Sequence, residues 1–362
     1  MKDYIISGIQ QMGIGVRDLQ TAWNWYIEHL GMDCPIFAEE AEAKFMLPYT
    51  GGQPRSRHAV LAYNLQGGGG FEIWQYKSTQ PQEISWEIRA GNLGIFACKI
   101  KVKDIDSAYR FFKDKNVMLL GQPSNDPSGA GTFFIKDPFG NIFQMTAASD
   151  WYMNEKKVNG GVYGAVIGVS DIDKAKAVYS DILGYDEVIY DATSVFPDFA
   201  GLPGGGAKLR RTLLRRKGKL FGPFGKLMGT SEIELICSGL PGEKKIFEGR
   251  FWGDPGFIHL CFDISGIDSL REYCMMKGHP FTVDTKSVMN GSKFDMGEAA
   301  GHFSYIDDGD GTLIEFVETL KMPLVKKIGW YLDLTKRDYR KNLPDWMLKS
   351  LRFSRVKVKQ IS

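Results

Sequence analysis

His259 and Glu315 are the residues of this chain whose types and setting best suit chemistry. His259 lies in Gly256-Phe-Ile-His259-Leu-Cys-Phe-Asp263-Ile-Ser-Gly266, an alternating stretch that reads as a strand running into a helix from Asp268 to Met276. Glu315 lies in Gly311-Thr-Leu-Ile-Glu315-Phe-Val, a strand leaving the turn Asp308-Gly-Asp-Gly311. An imidazole and a carboxylate facing inward from two strands of one small sheet are good donors for a divalent cation. The pair alone also fits a satisfied core histidine. Repetition of the same pattern along the chain separates the two readings.

Four segments share one grammar: a strand, a turn with Asp or Gly, an amphipathic helix, then further strands. The first runs from Gln11 through Asp18 into Thr21-Ala-Trp-Asn-Trp-Tyr-Ile-Glu-His-Leu-Gly31. The second runs from Ala97 through Asp104 into Ser107-Ala-Tyr-Arg-Phe-Phe, and the third from Gly164 through Asp171 into Ala175-Lys-Ala-Val-Tyr-Ser-Asp-Ile-Leu-Gly184. The fourth holds His259, with Gly266 where the others have Asp. The Asp residues are placed to cap helix N-termini, and apolar residues at helical spacing bury one face on a sheet. Each unit closes on a strand carrying an acid or amide: Glu72, Gln144, Glu234 and Glu315. The turns Asp137-Pro-Phe-Gly140 and Asp308-Gly-Asp-Gly311 both put that residue four positions after the last Gly. A unit of this size cannot bury its own sheet face, so the units must pair. The predicted fold is α+β: four βαβββ modules forming two cupped mixed sheets, followed by a basic helical tail.

With these motifs, over roughly residues 5–318, the chain resembles the vicinal-oxygen-chelate superfamily of glyoxalases, bleomycin-resistance proteins and extradiol dioxygenases. The resemblance implies a divalent metal in a cup made by two modules, with ligands from the first and last strand of each. Carried onto this sequence, module one offers Gln11 and Glu72, module two Ala97 and Gln144, module three Gly164 and Glu234, module four His259 and Glu315. Ala and Gly have no donor. If neighbouring modules pair, a cup holds Glu234, His259 and Glu315, the set an extradiol-type dioxygenase would use. If module one pairs with module four, a cup holds Gln11, Glu72, His259 and Glu315, the Gln/Glu/His/Glu set of some glyoxalases. The crossed pairing gathers both missing ligands into one inactive cup and is the simpler arrangement.

Oxygen and imidazole donors without thiolate suit Zn, Mn, Fe, Co or Ni. A metal there polarises a substrate oxygen, and Glu72 or Glu315 moves the proton on the adjacent carbon. The expected activity is therefore that of a metal-dependent lyase or isomerase acting on a small carbonyl or hydroxy-acid-type substrate. Strand alternation puts Gly13 beside Gln11, Trp74 and Tyr76 beside Glu72 as an aromatic wall, and Cys261 and Asp263 beside His259. His302 is a further pocket candidate. Where glyoxalase I has an Arg and an Asn that hold glutathione, this chain has Gly15 and Tyr76, so the substrate is expected not to be glutathione-linked. A planar-ligand-binding, non-enzymatic protein of the same fold is a further alternative, with the ligand between Trp74 and Tyr76.

At 362 residues, 43% hydrophobic and 24% charged, the chain has the composition of a soluble globular protein with room for two well-filled cores. The expected blocks are 1–149 and 160–318, each holding two modules, and a tail from 319 to 362. Five cysteines without a CxxC spacing, and no signal-peptide pattern at the start, point to a cytoplasmic protein. The net charge of +2 hides a basic tail, with twelve Lys and Arg against three acidic residues after position 318. Two short amphipathic helices are expected there, Lys336–Lys341 and Pro344–Phe353. Packing across the module seam is the favoured role; membrane-surface contact through Trp346, Leu348, Leu351 and Phe353 is the lesser one. The basic run Lys208–Lys219 reads as a solvated hairpin, with a seat for an anionic substrate as the sharper alternative. It lacks the aromatic interleaving of a nucleic-acid face. The runs Gly67–Gly70 and Gly204–Gly206 lack the residues of a phosphate loop and are expected in hairpins or irregular loops.

Overall fold

The computed structural model describes residues 3–292, 294–296, 299–325 and 330–358. Module one comprises β1 (Ile5–Gly15), α1 (Leu19–Leu30), β2 (Cys34–Glu42), β3 (Ser56–Tyr63) and β4 (Gly70–Tyr76). Module two has β5 (Gly94–Val102), α2 (Ile105–Asp114), β6 (Gly131–Lys136) and β7 (Ile142–Ala147). Module three has β8 (Asn159–Gly168), α3 (Ile172–Lys176, continued by a π turn at Ala177–Ile182), β9 (Glu187–Ser194), β10 (Leu209–Arg215) and β11 (Glu232–Cys237). Module four has β12 (Gly256–Ser265), α4 (Ile267–Met276), β13 (Ala299–Asp307) and β14 (Leu313–Val325).

Local chemistry explains the repeated grammar. The carboxylates of Asp18, Asp104 and Asp171 accept hydrogen bonds from backbone N–H groups of the first turns of α1, α2 and α3. Module four lacks that Asp. There Gly266 is left-handed, and Glu318 reaches over from β14 to accept from the N–H groups of Gly266 and Ile267.

One sheet runs Val283–Asp284, β13, β14, β12, β1, β4, β3, β2; the other runs β9, β10, β11, β8, β5, β7, β6, Met118–Leu119. Module one thus shares a sheet with module four, and module two with module three. The neighbour pairing is not formed. At the centre of the first sheet β1 and β12 are antiparallel, with Gln11 opposite Cys261 and Gly13 opposite His259.

The helix-facing sides of the two sheets share one core, in which Phe143 meets Phe257 edge-on at 5.5 Å. Two matching clamps cross it. Tyr26 of α1 donates its hydroxyl to Asp137 in the turn of module two, and Tyr179 of module three donates to Asp308 in the turn of module four, each at 2.8 Å. The Gly67–Gly70 run lies at the seam between the sheets. Gly68 has φ +109°, and a Cβ on it would come within 2.8 Å of the Gly161 backbone, so the crossing requires glycine.

The tail departs from expectation in part. Its start continues β14 and pairs with Trp330–Asp333. The segment expected as a helix at 336–341 holds only the end of a single 3-10 turn, Leu334–Lys336, whereas a helix (α5, Asp345–Ser350) and a 3-10 turn (Leu351–Ser354) follow Pro344. Leu343, Met347 and Leu348 pack on Cys34, Leu61, Tyr63 and Leu227. Leu348 is fully buried and Leu351 half-buried, so of the four residues expected at a membrane surface only Trp346 and Phe353 stand out. Among the described residues no helix is long and apolar enough to cross a membrane. In the basic run, Arg210 is bound by Asp173 and Asp191, while Arg211 and Arg215 turn to the carboxylates of β11.

Candidate metal centre

Cross-strand register carries the site. On the concave face of the first sheet, Leu61 of β3 is opposite Glu72, which lies beside Gly13 of β1; Gly13 faces His259, and Tyr305 faces Glu315. The result is a tight group. His259 Nε2 is 3.1 Å from Glu315 Oε2 and 3.4 Å from Glu72 Oε2. Gln11 Nε2 donates to the same two oxygens at 3.0 and 3.3 Å. Gly13 is what admits the imidazole, because a Cβ there would stand 2.6 Å from the ring. The space over Gly13 is therefore taken by His259 itself. Gly15 meets the Asp254 carbonyl rather than lining a cavity.

All four side chains are buried. Burial raises the Glu315 carboxyl, and the nearby charge of Glu72 adds to the rise. Burial would raise Glu72 as well, but the His259 ring 3.4 Å away and the charge of Arg57 outweigh it and hold it low. Burial pulls the imidazole down, yet the two carboxylates prevail and raise it. Two carboxylates facing one imidazole leave a net negative charge even when the ring is protonated. The nearby guanidinium of Arg57 is already paired to Glu39 at 2.5 Å. Uncompensated charge of this kind is costly in a protein interior. Gln11 Oε1 is buried with no partner among the described residues. Charge, donor types and the orphaned amide oxygen all fit a divalent cation, and Glu72, His259 and Glu315 form a group able to hold one.

Around the group, Trp252 donates its indole N–H to His259 Nδ1 at 3.3 Å, and the Tyr305 hydroxyl stands 3.4 Å from the same nitrogen. Both orient the ring with Nε2 toward the carboxylates. Trp74 packs edge-on against Trp252 at 4.0 Å, and the Tyr76 hydroxyl donates to the Trp252 carbonyl. Trp74 and Tyr76 stand nearly perpendicular, at 87°, so they hold the Trp252 segment and form no slot for a planar ligand. Asp263 lies farther along the same face. Burial, with the charge of Glu318, pushes its carboxyl up to about 7.

His302 is corrected. Its neighbours Phe303 and Tyr305 face the cup, so His302 points the other way, among Asp268, Arg271, Asp284 and Lys286. Glu234 is corrected too. It stands in the other sheet and is bound by Lys99 at 2.8 Å, Arg211 at 2.6 Å and Tyr190 at 2.8 Å, so the set Glu234/His259/Glu315 is not brought together.

That second cup has a protein cation at its centre. Lys99 takes the register position that Cys261 has in the first cup, and Glu232 the position of Gly70. Lys99, Glu232 and Glu234 are fully buried and form one network with Arg211, Arg215 and Asp198. Gly164 could carry no ligand, since a Cβ there would lie 1.9 Å from the Glu232 carbonyl oxygen.

Sequence reasoning missed Trp252, Tyr305, Arg57, Lys99 and Gln10. Tyr305 and Arg57 were legible in strand phase. Gln10 was not: a register shift between Ile9 and Gln11 lets Gln10 reach Cys261 from the strand position next to Gln11.

Residues 8–145 match the profile of the Glyoxalase/Bleomycin resistance protein/Dioxygenase superfamily. The N-terminal pair of modules belongs to this superfamily. Over most of its length the chain shares the fold with maize (Zea mays) glyoxalase I. A point mutant of that enzyme is 13% identical and superposes with a TM-score of 0.56 over 88% of this chain and 94% of that one. A Bacillus subtilis protein provisionally named a dioxygenase gives 13% identity and 0.55 over 86% and 85%. No curated protein sequence matches the chain.

Proposed function

We propose that the chain is a divalent-metal-dependent lyase or isomerase that moves a proton on a small carbonyl or hydroxy-acid-type substrate not linked to glutathione. The observation that carries this reading is the convergence of Gln11, Glu72, His259 and Glu315 in one buried, net-negative group. These four residues would hold the metal, here Zn, Mn, Fe, Co or Ni, and the bound ion would supply Lewis-acid polarisation of a substrate oxygen.

The rest is done by the chain itself. Glu72 and Glu315 flank the Gln11 amide, and their side chains keep 10% and 8% of their surface accessible while His259 keeps none. A substrate therefore meets the carboxylates first. One takes the proton from the carbon next to the carbonyl, and one returns it at the neighbouring atom. Trp74, Trp252 and Tyr305 keep water from that carbon.

Metal analysis of the purified protein and calorimetric titration with Mn²⁺ test the first half. Gln11→Ala should weaken Mn²⁺ binding at least about tenfold, and Glu234→Gln should leave it unchanged. Proton exchange at the carbon beside the carbonyl, followed by NMR in D₂O over a panel of 2-oxo aldehydes and hydroxy acids, tests the second. Exchange that survives both Glu72→Gln and Glu315→Gln would sink the mechanism.

A further inference from the structure

We infer that Arg57 is a carboxylate anchor in the first cup, so that the substrate is a carbonyl compound carrying an acid group a few bonds from the reacting oxygen. The carbonyl end of this inference rests on the metal-site reading; the acid end does not.

Arg57 is on β3, opposite Tyr76, one rung beyond the pair Ala59–Trp74 and two beyond Leu61–Glu72. Its side chain is on the concave face and folds over Trp74, with the guanidinium carbon 4.8 Å from the ring centre. It is 12% exposed. The Nη2 group is used by Glu39 at 2.5 Å, whereas Nη1 is buried and has no hydrogen-bond partner among the described residues. A buried guanidinium N–H without an acceptor is costly. Its charge is felt at Glu72, which places it in the same electrostatic compartment as the metal group.

The spacing sets the ligand. Trp74 and Glu72 are two residues apart on one face, so a group bound over Trp74 lies roughly 7 Å from one bound at Glu72. That distance is too long for the carboxylate of a 2-oxo acid and suits one on the third or fourth carbon. The free donor sets the class. Glu39 balances the charge of Arg57 and takes Nη2, so what remains is one directed N–H at Nη1, which matches a single carboxylate oxygen better than a dianionic phosphate. Half-buried Phe37, Phe45 and Phe303 pack against the same apolar cluster as Trp74 and favour a hydrocarbon spacer between the two ends.

The test uses 4-oxopentanoate and its uncharged methyl ester as probes, titrated into the full-length protein with and without Mn²⁺ and read by ligand-observed NMR. The acid should bind about tenfold tighter than the ester, as expected for one charge-assisted hydrogen bond. Arg57→Gln should erase that preference, and Arg57→Lys should retain part of it. Native protein that binds the acid no tighter than the ester, or a preference that survives in Arg57→Gln, overturns the inference. Failure to take up Mn²⁺ overturns the metal-site reading separately, because the acid preference is read in the metal-free protein as well.

Discussion

Replacing Lys99 by methionine should destabilise the protein by about 3–5 kcal/mol, although Lys99 lies in the cup that holds no candidate centre. The second cup balances three cations against three anions. Lys99 Nζ is 2.7 Å from Glu232 and 2.8 Å from Glu234, Arg211 is 2.6 Å from Glu234 and 2.7 Å from Asp198, and Arg215 is 2.9 Å from Glu232. Methionine matches the length of the lysine stem but leaves one negative charge in a region where Lys99, Glu232 and Glu234 are all inaccessible. An exposed pair would be worth only about 0–1 kcal/mol, so the measured cost discriminates between the two situations. With an unfolding entropy of roughly 2.1 cal/mol/K per residue over 362 residues, the melting temperature should fall by about 4–7 °C if the chain unfolds as one unit. Burial alone would raise the Glu234 carboxyl, but Arg211 and Lys99 hold it at about 2. Its contribution is therefore complete above pH ~4.5 and is lost as pH falls toward ~2. Lys99→Met should shift this acid limb to higher pH. The double variant Lys99→Met/Glu232→Gln restores the balance and should recover at least half of the lost stability. Denaturant unfolding at pH 7 decides it: a cost of about 1 kcal/mol or less, or no recovery in the double variant, refutes the electrostatic account.

Two further outcomes follow from buried groups outside the centre. Burial, then the charge of Glu318, pushes Asp263 up to about 7. An acid raised in the folded state weakens the fold as pH climbs from ~4 to ~7, with the full penalty above that. Asp263→Asn should therefore gain on the native protein across that window, by at most about 1.4 kcal/mol per pH unit, and then level off; thermal melts showing a flat difference would contradict it. Tyr179→Phe and Tyr26→Phe each remove a 2.8 Å hydrogen bond to a buried turn carboxylate, and each should cost about 1–3 kcal/mol. Markedly unequal costs in urea unfolding would show that the two clamps are not equivalent.

Much of the fold and of the candidate site was legible in the chain itself. Alternation identified the strands of Gln11, Glu72, His259 and Glu315, the caps Asp18, Asp104 and Asp171 marked three helix starts, and Ala97 with Gly164 marked a cup without ligands. These are local properties, set by the period of a strand, the orphan N–H groups of a helix and the absence of a side chain. What they leave open is which strands lie side by side. Modules one and two, or one and four, bury the same sheet edge with the same local pattern, and the choice was made by packing between residues more than two hundred positions apart, such as Gly13 against His259.

Everything that depends on a neighbour across the sheet was decided there. Gly13 is needed because an imidazole lies over it. Lys99 is charged because Glu232 and Glu234 close around it, and Gln10 reaches Cys261 because β1 shifts register against β12. His302 faces away from the cup because Tyr305 is the residue opposite Glu315. Sequence phase fixes which side of its own strand a residue occupies; only the assembled sheet fixes what that side looks upon.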